Sequence, residues 1–415
     1  MEKTQLKEVL AKNLNWFRKS SVMVPDNGFW GVAERIYVCG DPELRKKVFH
    51  SFNSFTEYDS WSVIESRRAD CNMQLAYLFL LASDIDGQDA EKRAIAVNLL
   101  DFLYFRSGLM NRGETPGVAK EMTGVWNWSH THWRRTLWLD DNSWTLAIPL
   151  LIAKRYPELI ERYELTHWTE RLALELHTGF KRAFEASIGK ELKDMSDPLD
   201  IWFGRPLLPH WGSLCCFALS LACKAGLDTT GEYQTTIRMY HEYLASAGDD
   251  ILNVSELAYA VIGATAAYKA TADSFYLKLA MNFEDRILAK ADPETGNVPA
   301  EHYEAPKGPH LVDTIYTANW ILIGLQNLVR LTDGDTGKVY REKLEQMLKL
   351  FADIQDTSEE RQFNGCWRGM FDIRTGTWGG GDSYEGGAGS IYSGWTNAPV
   401  SLVFANEILN SSLID

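Results

Sequence analysis

Trp138-Leu139-Asp140-Asp141-Asn142-Ser143-Trp144 marks the point where a long tryptophan-rich segment gives way to a helix, and the spacing on either side of it decides the fold. Upstream, residues 107–140 carry no sustained helical period. Downstream, apolar positions recur at helical spacing over about 142–155. A brief link at 156–164, with Pro157 in it, then separates this helix from another at about 165–187. A long connection precedes the helix and a short one follows it, which is the pattern of a helical hairpin hung from a long loop.

Working outward, the same alternation recurs. Helices are predicted at about 5–19, 67–83, 89–106, 142–155, 165–187, 211–225, 231–246, 255–271, 273–290, 313–332, 336–354 and 397–410. Links after the second, fourth, sixth, eighth and tenth are short (84–88, 156–164, 226–230, near 272, 333–335). Those after the first, third, fifth, ninth and eleventh are long (21–65, 107–140, 188–209, 291–312, 355–396), and only 247–254 is of modest length. Twelve helices joined this way are six stacked hairpins. Closing them into a ring buries the even helices inside the odd ones and sends the long loops to one face. The expectation is an all-α (α/α)6 toroid, one domain over residues 1–415. A helical solenoid is the alternative, but the tandem units show no regular sequence repeat.

Composition narrows the partners. A formal net charge of −14 argues against nucleic acid and anionic membranes. No apolar run approaches a membrane span or a signal segment, so a cytoplasmic location is expected. The six cysteines lack zinc-finger spacing and read as free thiols, mostly buried.

In the toroid the even helices begin at the long-loop face, so their N-termini converge. That brings together Asp70 and Asn72, Asp140 and Asp141, His210 and Trp211, Ser255 and Glu256, Asp313 and Tyr316, and Trp395 and Asn397. An acid at a helix start is also a plain N-cap. Here Asp140-Asp141 offers one carboxylate to cap the fourth helix and one to face the cavity.

The segment 126–144 holds five tryptophans, two histidines, two arginines and this acidic pair. Each indole left exposed forgoes roughly 1.5–3 kcal/mol of burial, so such density suits a concave site that stacks flat rings. A second unusual stretch is the glycine-rich 378–395. With no strand before it and no Gly-Lys-Ser/Thr, it does not read as a phosphate cradle. It is expected to fold over the cavity mouth and deliver Tyr384, Glu385 and Trp395, with Glu385 or Asp382 as a reserve carboxylate.

His130, His132, His210, His302 and His310 fall in loop-face segments without helical ligand spacing, so hydrogen bonding to hydroxyls is preferred over metal binding. Arg134, Arg135, Arg205 and Arg368 also lie there, either neutralising local acids or gripping a substrate carboxylate in a forked pair.

With twelve helices, aromatic long loops and Trp-Leu-Asp-Asp-Asn-Ser-Trp at the fourth helix, the chain resembles the six-hairpin glycosidases. The likeness spans the chain as architecture and is specific at 138–144, more loosely at 67–77. The resemblance implies two branches. Unsaturated glucuronyl and rhamnogalacturonyl hydrolases, often cytoplasmic, use aspartates on the second and fourth helices, which fall here on Asp70 and on Asp141 or Asp140. Endo-α-1,6-mannanases use consecutive aspartates, which fall on Asp140 and Asp141. The glycine-rich 379–394 belongs to neither pattern.

The expected activity is hydrolysis of a mono- or oligosaccharide, with a uronic acid among the candidate units. Asp141 would be general acid/base and Asp70 its partner, backed by Asp140 and Glu385. Trp126, Trp128, Trp133, Trp138, Trp211, Trp367 and Trp395 would stack or line sugar faces. His130, His132, Arg134, His210, Asp313, Arg368 and Tyr384 would hydrogen-bond the substrate. No cofactor, metal, nucleic acid or membrane is required, and the partner is a carbohydrate. The rivals are a sugar epimerase or isomerase using His130, His132 or His210, a polysaccharide lyase with a Tyr or His base, and a non-catalytic carbohydrate-binding toroid.

Overall fold

The computed structural model describes residues 1–39, 54–113, 122–130, 136–189, 198–301, 308–380 and 387–415. Its twelve long helices are α1 (Lys3–Lys19), α2 (Ala69–Ile85), α3 (Ala90–Asp101), α4 (Leu139–Arg155), α5 (Leu165–Ser187), α6 (Pro209–Lys224), α7 (Glu232–Ala245), α8 (Val254–Thr271), α9 (Ser274–Leu288), α10 (Ala318–Leu331), α11 (Gly334–Ile354) and α12 (Ala398–Leu409).

The even helices form a closed inner ring. α2 packs on α4, α4 on α6, α6 on α8, α8 on α10, α10 on α12, and α12 returns to α2. The odd helices form the outer ring: α3 on α2, α5 on α4, α7 on α6, α9 on α8, α11 on α10, and α1 on α12. The fold is an (α/α)6 toroid.

Sequence explains which helix goes where. α1 is amphipathic, burying Leu6, Val9, Leu10, Leu14, Trp16 and Phe17 on one face. Inner helices touch neighbours all round, so α2 is buried from Ala69 to Ser83 and α8 from Val254 to Ala267. Two of the short links end in side-chain caps. Asp89 accepts from the backbone N–H groups of Glu91 and Lys92 at α3, and Asp273 accepts from that of Phe275 at α9.

Three features differ from the expectation. First, α4 begins at Leu139, so Asp140 and Asp141 both lie in its first turn. Its N-cap is Trp138, in extended conformation and without a side-chain cap bond, so neither aspartate caps the helix. Second, α10 begins at Ala318. Asp313 instead accepts from the backbone N–H groups of Ile315 and Tyr316 and from Thr317 Oγ1, so it is a turn cap.

Third, the long loops carry two small antiparallel sheets where none was expected. One pairs Phe55–Glu57, Trp61–Ile64, Arg35–Val38 and Ser390–Tyr392 in that order. The other pairs Leu311–Asp313, Met370–Asp372 and Thr377–Trp378. A strand therefore does run into the glycine-rich stretch. That stretch then closes on the fold through Gly394, where a Cβ would stand 2.4 Å from Cys71 Sγ and 2.5 Å from Cys71 Cα of α2.

Candidate active site

At the loop face the N-termini of α2 and α4 meet around one guanidinium. Arg68, the extended N-cap residue of α2, donates to Asp70 through Nε (3.1 Å to Oδ1) and Nη2 (3.0 Å to Oδ2). The same Nη2 lies 2.5 Å from Asp141 Oδ1, and Nη1 lies 3.2 Å from Glu34 Oε1. The Trp395 indole Nε1 donates to Asp70 Oδ2 at 3.0 Å. The same Nη2 thus joins the two aspartates, 3.0 Å from Asp70 Oδ2 and 2.5 Å from Asp141 Oδ1. All four charged groups are buried.

Burial pushes the Asp141 carboxyl well above the usual carboxylate range. Arg68 opposes that shift, and Asp70 and Asp140 add to it. Asp140 is raised too, chiefly by burial, with His210 and Arg68 working against the rise. The Arg68 guanidinium loses by burial but gains more from Asp141 and Asp70, so its charge is secure.

A second group stands across α6 and α8. His210 Nδ1 lies 2.8 Å from Glu256 Oε1. Burial lowers the affinity of this imidazole for a proton, but Glu256 and Asp140 outweigh it and hold His210 above its ordinary value. Below both groups the ring is filled with aromatic side chains. Trp320 has its ring centre 5.4 Å from Trp395, 4.9 Å from Tyr259 and 5.9 Å from Trp144. These aromatic side chains are part of the apolar interior whose burial of the carboxyls favours their protonated forms.

The sequence-predicted residues divide clearly. Asp70, Asp140, Asp141, His210, Trp211 and Trp395 come together. The half-buried Trp138 packs 5.6 Å from Trp211, and Trp128 presents its ring 5.5 Å from the Arg68 Cζ. His130 is exposed at the rim and accepts from the Arg67 backbone N–H through Nδ1.

Others are corrected. Trp126 is buried edge-on against Tyr104 at 5.4 Å, inside the loop rather than facing a sugar. Trp367 is fully buried among Phe351 and Phe404 and donates to the Phe351 carbonyl. Arg368 pairs with Asp356 at 2.6 Å and lies over Phe363. Asp313 is the turn cap described above, and Arg205 is exposed. Asn72 and Asn397, expected at the convergence, hold loop peptides in place. His132, Trp133, Arg134, Arg135, His302, Asp382, Tyr384 and Glu385 lie outside the described residues. Among the described residues no cluster of three or more His, Cys, Asp or Glu could hold a metal ion, and no helix is long and apolar enough to cross a membrane.

Sequence reasoning missed Arg68 and Glu34. Arg68 stands two residues before Asp70 in Arg67-Arg68-Ala69-Asp70 and could have been flagged as its partner. Nothing local points to Glu34, which arrives from the loop after α1.

No protein-family model and no curated protein matches the chain. Solved structures do. A D-mannose isomerase is 13% identical with a TM-score of 0.60, covering 99% of this chain and 98% of that one. An unsaturated glucuronyl hydrolase specific for heparin is 13% identical with a TM-score of 0.59, covering 99% and 100%. A sugar epimerase from a ruminal bacterium is 10% identical with a TM-score of 0.61, covering 99% of each chain. The fold is that of the six-hairpin (α/α)6 enzymes. The likeness shows the fold alone, and proteins named for hydrolysis, isomerisation and epimerisation share it, so any chemistry has to be argued from the side chains.

Proposed function

We propose that this chain is a glycoside hydrolase in which Asp141 donates the proton that starts the reaction. The observation that carries the reading is the buried pair of Asp141 and Asp70 gripped by one arginine nitrogen. A carboxylic acid whose hold on its proton is strengthened by burial, beside a second carboxyl bound to the same arginine, is a poised general acid.

Carboxyls acting on opposite sides of a sugar stand about 5–5.5 Å apart for retention or about 6.5–9.5 Å for inversion. Asp70 Oδ2 and Asp141 Oδ1 share one Arg68 nitrogen at 3.0 and 2.5 Å, closer than inversion allows, and Asp70 is further engaged by Trp395, so the two work as one proton-holding unit. Such a unit suits a substrate that needs a single proton and then water. The enol-ether double bond of an unsaturated uronide is one. Protonation of its carbon leaves a cation stabilised by the ring oxygen, water adds, and the resulting hemiketal opens to release the rest of the saccharide. Asp141 then recovers a proton from that water. This supports the unsaturated-uronide branch over the mannanase branch.

A second reading is favoured by the His210–Glu256 pair. An imidazole oriented by a carboxylate could move a proton between adjacent carbons of an open-chain sugar, as an isomerase or epimerase requires.

The test is incubation with unsaturated uronides, neutral oligosaccharides and reducing monosaccharides, read by mass and by ultraviolet absorbance of the double bond. Cleavage with gain of one water, abolished in Asp141→Asn, is expected. Products of unchanged mass that still form in Asp141→Asn would overturn the hydrolase in favour of the isomerase.

A further inference from the structure

One guanidinium serves three buried carboxylates, and the donors are shared unequally. Asp70 receives three hydrogen bonds, two from Arg68 and one from Trp395. Asp141 receives one from Arg68, and Glu34 takes the outer nitrogen. Donors stabilise the charged form of a carboxyl. The charge of the pair therefore belongs on Asp70, and a proton shared between them belongs on Asp141.

Arg68 is also held on every side. Its main chain bridges to Ser129 of the tryptophan loop, and its carbonyl accepts from Asn72 Nδ2 at 2.8 Å. Its Cζ sits 5.5 Å from the ring centre of Trp128 and 5.4 Å from that of Trp395. Glu34 is fixed from another direction. Its carbonyl accepts from the Ser393 N–H at 2.8 Å, and Val32, two residues before it, is bound through both peptide groups by Asn72.

Resting on the hydrolase reading, we propose that Arg68 is the positioning residue that assigns the proton of the pair to Asp141, and that Glu34 sets its grip by competing for the same guanidinium. The remaining charged or titratable groups facing the pair are Cys71 of α2, Asp140 of α4 and His210 of α6. None of them donates to Asp70. Removing Arg68 leaves the two aspartates without their shared cation, so protons are held more tightly. Removing the Glu34 charge gives the pair more of the guanidinium, so Asp141 releases its proton more easily. The two variants are predicted to move the same titration in opposite directions.

The experiment is a pH titration of carboxyl-labelled aspartate by carbon NMR, with the Asp141 resonance assigned by its loss in Asp141→Asn. In the unmodified protein Asp141 is expected to titrate above the ordinary carboxylate range. Arg68→Met should move it up by about one pH unit or more, Glu34→Gln down by roughly half a unit to one, and Arg68→Lys less than Arg68→Met. An arginine with only a structural role would lower the melting temperature without moving the resonance. If Arg68→Met does not fold, Glu34→Gln and Arg68→Lys carry the test. A raised Asp141 that none of these variants shifts would overturn the inference and leave the hydrolase reading standing. An Asp141 with ordinary titration in the unmodified protein would overturn the hydrolase reading itself.

Discussion

At the scale of the residue, the proposed function rests on which carboxyl keeps its proton. Asp141→Asn keeps the shape of the group and removes the transferable proton, so activity should fall by about 10²–10⁴-fold while thermal stability stays near that of the parent. The pH profile has a fixed sign. On the proposed reading Asp141 must be protonated to act, and its value is raised, so activity should persist above the ordinary carboxylate range and be lost as pH rises through that raised value. A profile declining on the acid side instead would assign the limiting group to a base. Trp395→Phe removes the indole donor to Asp70 but keeps an aromatic ring, so kcat should drop with little change in melting temperature. That Asp70, Asp141 and Trp395 lie together was legible because helix starts and aromatic density are local signals. Trp367 and Arg368 were misread for a physical reason: the long loops have cores and ion pairs of their own, so an aromatic or a charge in a loop-face segment need not face the cavity. Glu34 was not legible, since its contact with Arg68 spans 34 positions.

At the scale of the element, the inner helices use one device repeatedly to hold the loops that carry the site. Asn72 exchanges hydrogen bonds with both peptide groups of Val32, Asn142 with those of Trp126, and Asn397 with those of Trp367. Asn72 and Asn142 also bond the carbonyl four residues back, Arg68 and Trp138, and Asn319 does the same to Ile315 while reaching the Trp395 carbonyl. An amide can donate and accept at once, so it substitutes for a strand edge where the loop has none. Asn142→Ala strands buried peptide groups of Trp126 and should cost about 1–3 kcal/mol in urea unfolding. A loss near zero would show that water replaces the amide. The helices were legible from periodicity and capping, which are properties of neighbours in sequence. The strands were not: Arg35–Val38 pairs with Ser390–Tyr392, and so short a run carries too little alternation to be recognised alone.

At the scale of the whole molecule, the alternation of long and short links was enough to close the ring, because six hairpins with one buried stripe each have few other ways to hide it. The ring holds one acid outside the candidate site that should shape its stability. Glu284 of α9 is fully buried, neither of its carboxyl oxygens has a hydrogen-bond partner, and its Oε2 lies against Gly324 of α10. Burial, with a smaller push from Asp285 and opposition from Lys343, raises it to about 8. The folded state thus binds this proton more tightly than the unfolded chain. The associated stability is fully present below the unfolded value of 4.5, declines as pH rises, and is lost through about 8. Glu284→Gln should remove that slope and be more stable than the parent at alkaline pH, by on the order of 2–4 kcal/mol; identical pH–stability curves would refute the buried acid. The central claim, that carboxyls and not an imidazole carry the chemistry, is tested most directly by kcat/KM of Asp141→Asn and His210→Gln on the same substrate. A fall of at least about 10²-fold in Asp141→Asn, with His210→Gln within roughly tenfold of the parent, is predicted; the reverse order would contradict it.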